Sequence, residues 1–219
     1  MIRLLIVAAL VFVSGCVHLD EYIQINGDGF AKIVLKYSMP IETMTLLQDS
    51  ESVLQDLNKQ KKTSDKPRIF NEKKLREHFK KFESVDVISL RVNNDNKRIN
   101  AYINLQISDF QKALRKGLLP YTSLEKEDKN YVFSALYPYN ISKLKKNDDL
   151  LEAASKLQIS FKVKTPSFIT ETNAHKNIAN LAEWHYSEKD KSFAESDGRF
   201  VVKFEAAKLN FLDNKEENK

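Results

Sequence analysis

The sequence is poor in the residues that build many recognisable sites. Its 219 residues include one cysteine, five glycines, five prolines and four histidines. A single cysteine excludes an intramolecular disulfide, and so few glycines and prolines argue against long linkers between domains. The chain also has no Gly-rich phosphate loop, Gly-x-Ser-x-Gly elbow or His-Glu-x-x-His motif. No motif in the sequence identifies a biochemical activity.

The lone cysteine, Cys16, ends a short apolar segment at the start of the chain. Arg3 supplies one positive charge, Leu4 to Val13 are all apolar, and Ser14 and Gly15 are small. The apolar run is shorter than the roughly 20 residues that a membrane span needs. This layout predicts a secretory signal peptide over residues 1–15, cleaved between Gly15 and Cys16. The alternatives are an ordinary signal peptide with a chance cysteine, or a buried N-terminal helix.

The run Val13-Ser14-Gly15-Cys16 resembles the lipobox of bacterial lipoproteins. The resemblance implies that the Cys16 thiol receives a diacylglyceryl group and that fatty acids such as palmitate anchor the chain. Two or more acyl chains hold a protein stably on a membrane. We therefore expect a cell-envelope protein that contacts its membrane through lipidated Cys16. Val17, where an aspartate would favour the inner membrane, points to the outer membrane in a cell that has two.

The rest of the chain reads as one domain. Residues 16–212 are predicted to form a single α+β domain, and the charged segment 213–219 a disordered tail. The formal net charge of +5 falls by one when Arg3 is removed. An exported protein has no nucleic acid to bind, so envelope proteins, lipids or cell-wall polymers are the expected partners. The basic stretch Asn58 to Arg68 is interpreted as a solvated connection between helices, with a membrane-facing loop as the alternative.

Two hairpins are predicted in the N-terminal half. Leu19 to Ile25 and Phe30 to Tyr37 are strand-like and flank Asn26-Gly27-Asp28-Gly29, a strong turn signal. Val85 to Val92 precede a second turn, after which Ile99 to Ile107 alternate strictly between apolar and polar. The alternation in the first strand of that hairpin changes parity, which predicts a bulge near Val87.

Short helices and further strands fill the remaining sequence. Asn71 should cap a helix that buries Leu75, Phe79 and Phe82, and Ser108 should cap another that ends at Gly117. Further helices are predicted after Pro40 and after Asn147 or Asp148. Alternating strands are predicted at residues 131–135, 157–163, 182–186 and 200–206. The predicted fold class is α+β, a mainly antiparallel sheet of hairpins with several short helices packed on one face.

A second resemblance follows from these elements. The strand–Asn26-Gly27-Asp28-Gly29–strand opening with Ser38-Met39-Pro40, and later Thr165-Pro166, Asn173-Ala174 and Trp184, is similar to the LppM-like class of envelope lipoproteins. The class implies an α+β domain at the cell envelope without established catalytic residues. This sequence has no C-terminal membrane helix, which some such proteins carry.

Candidate catalytic and metal-ligating residues are few. His18 is placed in the tether beside the anchor, His78 beside the apolar face of its helix, and His185 towards solvent. His175, Glu183 and His185 do not have a spacing that favours a shared metal ion. Glu125, Glu127 and Asp128 alternate with lysines, which is typical of a solvated surface. We therefore predict no catalytic residue, metal ligand or cofactor, and a protein that is not an enzyme.

Aromatic residues leave one further question about function. Tyr137-Pro138-Tyr139, Trp184 and Tyr186 could line a groove, but aromatics at alternating strand positions are usually core. The sequence favours a non-catalytic binding or assembly module, with a carrier of lipid or another apolar envelope ligand as the alternative. A deep apolar cavity would favour a carrier, and a flat exposed apolar patch would favour an assembly protein. A cleft of ionisable groups would favour an enzyme.

Overall fold

The computed structural model describes residues 17–41, 70–136, 157–187 and 196–205. These ranges contain eleven strands and two helices. The strands are β1 (His18–Ile25), β2 (Ala31–Pro40), β3 (Val85–Asn94), β4 (Arg98–Ile107), β5 (Thr122–Glu127), β6 (Asn130–Leu136), β7 (Gln158–Lys164), β8 (Ile169–Thr172), β9 (Lys176–Ile178), β10 (Leu181–Tyr186) and β11 (Arg199–Glu205). The helices are α1 (Glu72–Phe79) and α2 (Phe110–Arg115).

The strands form two sheets, and this corrects the predicted single sheet. The larger sheet has the order β3-β4-β2-β1-β7-β10-β9, and the smaller one β5-β6-β11-β8. All described pairs are antiparallel except β1 with β7, so the mainly antiparallel α+β class is confirmed. The several helices on one face are not found in the described ranges, which hold only α1 and α2. Phe133 and Phe200 of the smaller sheet instead pack on the apolar face of the larger sheet at Phe161.

The core between the sheets is aromatic. The ring of Phe161 on β7 lies 4.7 Å from that of Phe200 on β11, 5.5 Å from that of Trp184 and 6.3 Å from that of Phe133, between centroids. Trp184 is only 1% exposed, and its indole nitrogen donates to Asn173 Oδ1 at 3.1 Å. Trp184 and Tyr186 are therefore core residues, as the alternating pattern indicated, rather than the lining of a groove.

The two N-terminal hairpins form where local signals placed them. In the first, the backbone N–H of Asn26 donates to the carbonyl of Phe30 at 2.8 Å, closing the loop between β1 and β2. In the second, the register of β3 against β4 shifts between Val87 and Ser89, so the predicted bulge is confirmed and Ile88 is the extra residue.

Helix α1 confirms its predicted cap and the burial of Leu75 and Phe79, whereas Phe82, predicted on the same helical face, is buried three residues beyond the end of the helix. The Asn71 side chain accepts a hydrogen bond from the backbone of Lys74 at 3.0 Å, and Leu75 and Phe79 are buried. Arg76 binds Glu72 one turn earlier and also donates to the carbonyl of Leu90 at 2.8 Å. The guanidinium thus ties the helix to β3.

Helix α2 is capped by Asp109 and not by Ser108. The carboxylate of Asp109 accepts from the backbone of Lys112 at 2.9 Å. The Ser108 side chain is engaged elsewhere, since its hydroxyl donates to the carbonyl of Ser84 at 3.4 Å, as does its backbone N–H at 2.9 Å. Gly117, predicted to end the helix, has a φ of 85°, a conformation that glycine adopts without the strain other residues incur.

Several predictions lie outside the described residues. They are the signal peptide with Gly15 and Cys16, the helix after Pro40 beyond Ile41, the basic stretch Asn58 to Arg68, Tyr137-Pro138-Tyr139, the helix after Asn147 and the tail 213–219. They stay predictions. Among the residues that the structure describes, no helix is long and apolar enough to cross a membrane.

His78 should make stability depend on pH. Its ring lies 5.4 Å from the rings of Phe79 and Phe82, and partial burial, followed by the charge of Lys81, lowers the pKa of His78. The unfolded chain keeps a pKa near 6.5 and binds the proton first as pH falls. The free energy of unfolding should therefore drop as pH falls through about 6.5 and level off below the folded-state pKa.

Urea denaturation between about pH 7.5 and 5.5, above the range of most carboxylates, measures this effect. His78→Gln should make the drop smaller. Burial and Arg98 also lower the pKa of His18, so part of the drop should persist. An unchanged drop in the variant would contradict the assignment to His78.

Candidate functional site

The outer face of the seven-stranded sheet carries a groove of about 520 Å³. This volume lies in the range of small-molecule sites, about 300–1,000 Å³. We call it the hairpin groove because most of its lining belongs to the β1–β2 hairpin. The lining residues are Gln24, Asn26, Asp28, Phe30, Ala31, Lys32, Ile88, Asn104 and Gln106.

Strand pairing aligns the polar side chains of the groove. Lys32 on β2 lies opposite Gln24 on β1 and opposite Gln106 on β4, so the three form one row across the sheet. Their neighbours Ile25, Ile33 and Leu105 are buried against the core. Because side chains alternate between the two faces of a strand, the row must point outward.

Two apolar side chains contribute to the lining from separate elements. Phe30 follows the β1–β2 turn and is 38% exposed, and Ile88 on β3 is 58% exposed. Ile88 is the extra residue of the bulge. Bulges commonly re-aim a side chain beside a functional site, and this one adds an isoleucine to a mainly polar lining.

A chain of hydrogen bonds orders the amides on β1. The Tyr22 hydroxyl donates to Gln24 Oε1 at 3.1 Å, and Gln24 Nε2 donates to Asn26 Oδ1 at 3.0 Å. Burial raises the pKa of Tyr22, so the phenol stays protonated and remains a donor. The order of donors fixes the orientation of the Gln24 amide before any ligand arrives.

Asn104 is the polar residue of the groove with an unmet hydrogen bond. Its Oδ1 atom is buried and has no hydrogen-bond partner among the residues that the structure describes. An unsatisfied buried acceptor costs about 1–3 kcal/mol. The backbone ladder of β4, paired on both sides, holds Asn104 in place despite this cost.

Neutral side chains make up most of the lining of the hairpin groove. Its only charged side chains are Asp28 and Lys32, and Asp28 Oδ1 accepts from the backbone of Phe30 at 3.1 Å. The lining includes no histidine, cysteine, serine or threonine. Neutral amide groups dominate, and each amide offers both a donor and an acceptor.

The histidines that the sequence considered as ligands lie elsewhere. Nδ1 of His175 accepts from the backbone N–H of His185 at 3.1 Å, and the His175 ring packs edge-on against Tyr186 at 4.6 Å. His185 is exposed, as predicted. Glu183 pairs with Lys162 at 3.7 Å. Within the described ranges, no three His, Cys, Asp or Glu side chains are grouped to hold a metal ion.

The remaining candidates have structural positions. His18 is the first residue of β1 and is paired on both sides, which corrects its placement in a tether. Glu125 and Glu127 are exposed on β5, and Asp128 is exposed in the turn that follows, as the lysine pattern indicated. Glu127 pairs with Lys203 at 3.4 Å.

Sequence reasoning missed the groove residues. The available signal was the run of amides at the polar positions of alternating strands, namely Gln24, Asn100, Asn104 and Gln106. The predicted bulge also indicated that one apolar residue near Val87 would face outward. Neither signal shows that β1, β2 and β4 lie side by side.

Comparison with known proteins shows structural similarity only at a distance. No protein-family model matches the chain, and no curated protein matches it. The NMR structure of the folded domain of Mycobacterium tuberculosis LppM is similar at a TM-score of 0.48 and 10% identity, covering 89% of this chain and 92% of that one. A similarity this distant transfers no function, and the LppM-like resemblance of the sequence stays a prediction.

Proposed function

We propose that the protein is a non-catalytic binding module of the bacterial envelope, anchored through lipidated Cys16. The hairpin groove holds its ligand. The ligand is neutral, carries hydroxyl or amide donors, and has an apolar part that contacts Phe30 and Ile88. The lipobox supports the anchor, and the amide-rich lining supports the class of ligand.

The unpaired Asn104 oxygen carries the proposal. In the free protein this buried acceptor, which has no partner among the described residues, lowers the stability of the fold. A small rotation of the Asn104 side chain towards the groove would bring Oδ1 within reach of a ligand donor. Binding then relieves the cost, which favours ligands that supply a hydroxyl or N–H hydrogen.

A carrier of a wholly apolar ligand has less support. Such a ligand would occupy space between the two sheets, where Phe133, Phe161, Trp184 and Phe200 are each 1% exposed or less and contact one another. Close-packed rings leave an apolar guest no room without displacing a side chain.

Asn104→Leu should stabilise the protein and abolish binding. Leucine removes the unpaired oxygen, so the free energy of unfolding should rise by about 1 kcal/mol, which corresponds to roughly 2–4 °C in Tm for a domain of this size. The same change removes the acceptor for the ligand. Thermal denaturation measures the first effect.

Nuclear magnetic resonance measures the second effect. Soluble oligomers of N-acetylglucosamine, which are neutral and carry hydroxyls, amides and methyl groups, should shift the side-chain amide signals of Gln24, Asn26 and Gln106 in the wild type and not in Asn104→Leu. A short-chain phospholipid is the competing probe.

Asn100→Leu is the matched control. Asn100 lies on the same face of β4 outside the groove, and its amide donates to Asp95 Oδ2 at 3.4 Å. This variant should bind like the wild type and gain no stability. If neither probe shifts the groove signals, or if the phospholipid alone does, the proposed class of ligand is wrong.

A further inference from the structure

We propose that the domain stands upright on its anchoring membrane, with the hairpin groove at the end that points away from the bilayer. The end that contacts the headgroups, which we call the seat, is formed by His18, Ser38, Met39, Pro40, the turn Asp95–Lys97, Arg98 and Gln158. The inference rests on the lipidation of Cys16 proposed above.

The connection between the anchor and the fold is too short to act as a tether. Val17 directly follows Cys16, is 2% exposed, and its carbonyl accepts from the backbone of Gln158 at 3.0 Å. His18 is already paired with both Ser38 and Gln158. Consecutive Cα atoms are about 3.8 Å apart, so acyl chains on Cys16 bring the start of β1 to the headgroups.

The position of β1 in the sheet keeps the domain upright. β1 is the fourth of seven strands, with β3, β4 and β2 on one side and β7, β10 and β9 on the other. An anchor at one end of the central strand leaves the sheet supported on both sides. The ends of β2 and β10 and the starts of β4 and β7 lie beside the start of β1, because each is in register with it or with a neighbour.

The chemistry of the seat fits polar headgroups. Asp95, Asn96 and Lys97 are exposed there. The Arg98 guanidinium is fixed by donating to Ser38 Oγ at 2.8 Å and to the Ser38 carbonyl at 3.1 Å. Phe30 and Ile88, two of the large apolar side chains exposed in the described ranges, lie near the opposite ends of β2 and β3 from these residues. The seat therefore rests on headgroups and does not insert into the acyl region.

The same strands carry the groove away from the membrane. From Pro40, opposite Arg98 at the seat, to Lys32 in the groove there are eight residues of β2. At about 3.3 Å per residue, the groove lies roughly 26 Å from the seat. Its ligand therefore comes from the space beyond the anchoring bilayer and not from the surface of that bilayer.

Paired cysteine variants test this orientation. Cys16 is the only cysteine and is blocked by lipid, so Lys97→Cys at the seat and Lys32→Cys at the groove each give one reactive thiol. Both positions are exposed lysines, so each variant loses one positive charge. The lipidated full chain, labelled with a fluorophore, is placed in phosphatidylethanolamine and phosphatidylglycerol vesicles that contain a headgroup-nitroxide lipid.

The nitroxide should quench the label at Lys97→Cys several-fold more strongly than the label at Lys32→Cys. A flexible Gly-Ser linker inserted between Cys16 and Val17 should reduce the difference. Equal quenching, or stronger quenching at Lys32→Cys, in a protein whose mass shows the lipid would overturn the orientation alone. An unmodified Cys16 in the wild-type protein would overturn both the orientation and the proposed anchor.

Discussion

Phe161→Asp should leave the protein unfolded under conditions in which the wild type is folded. Phe161 is 1% exposed and contacts aromatic rings from both sheets. Loss of a buried phenylalanine side chain lowers the free energy of unfolding by about 3–5 kcal/mol, and an unpaired buried carboxylate lowers it by several kcal/mol more. The sum reaches the total stability of a typical domain, about 5–15 kcal/mol. Ile103→Asp, at a residue 2% exposed on β4, should have the same outcome.

Circular dichroism and urea denaturation measure the effect, and Gln158→Asp is the matched control. Gln158 lies on β7 as well, but on the outer face and partly exposed, so its substitution should cost less than about 1 kcal/mol. Because the two sheets share one core, the wild type should unfold in a single transition. Two separate transitions, or a folded Phe161→Asp variant, would show that the sheets do not depend on each other.

The hairpins and caps were predictable because their signals are local. Asn26 to Gly29 mark a turn between alternating strands, Asn71 has the side chain and position of an N-cap, and the change of parity near Val87 shows the bulge. Each signal lies within a few residues of the structure it specifies. The cap at Ser108 was wrong by one residue because its hydroxyl and backbone N–H both bind the carbonyl of Ser84, a contact that the local pattern does not show.

The division into two sheets was not predictable from the same patterns. The alternation of apolar and polar residues predicts which face of a strand is buried, but it does not predict which strand lies beside it. β1 pairs with β7 in parallel across more than half the chain, and β6 pairs with β11 to build a sheet of its own. Such pairings are decided by the packing of distant side chains, here the ring of Phe161 against Phe200.

The hairpin groove depends on those long-range pairings. Gln24, Lys32 and Gln106 are far apart in sequence and form one row only because β1, β2 and β4 are neighbours. Among the residues that the structure describes, Asn104 Oδ1 has no hydrogen-bond partner, and this too is a property of the assembled sheet. In the unfolded chain the same oxygen would accept hydrogen bonds from water. The anchor at Cys16 is a prediction from the sequence alone, whereas the candidate site required the structure.

Cys16→Ser should move the protein out of the membrane fraction or leave it as an uncleaved precursor. Each buried methylene contributes about 0.8 kcal/mol to membrane binding, so the loss of two or more acyl chains removes many kcal/mol of attachment. A serine hydroxyl does not replace the thiol that receives the diacylglyceryl group in lipoproteins. Cell fractionation with intact mass measurement follows both outcomes.

Ser14→Ala separates this effect from general damage to the signal peptide. Alanine is also small, and the charged start and the apolar run are unchanged, so this variant should be cleaved, lipidated and found in the membrane fraction. Wild-type protein with an unmodified Cys16, or a Cys16→Ser variant that is cleaved and still sediments with the membrane, would contradict the lipid anchor. With the anchor lost, the residues around His18 would have no membrane to rest on, whereas the hairpin groove should still bind its ligand, because none of its lining residues depends on Cys16.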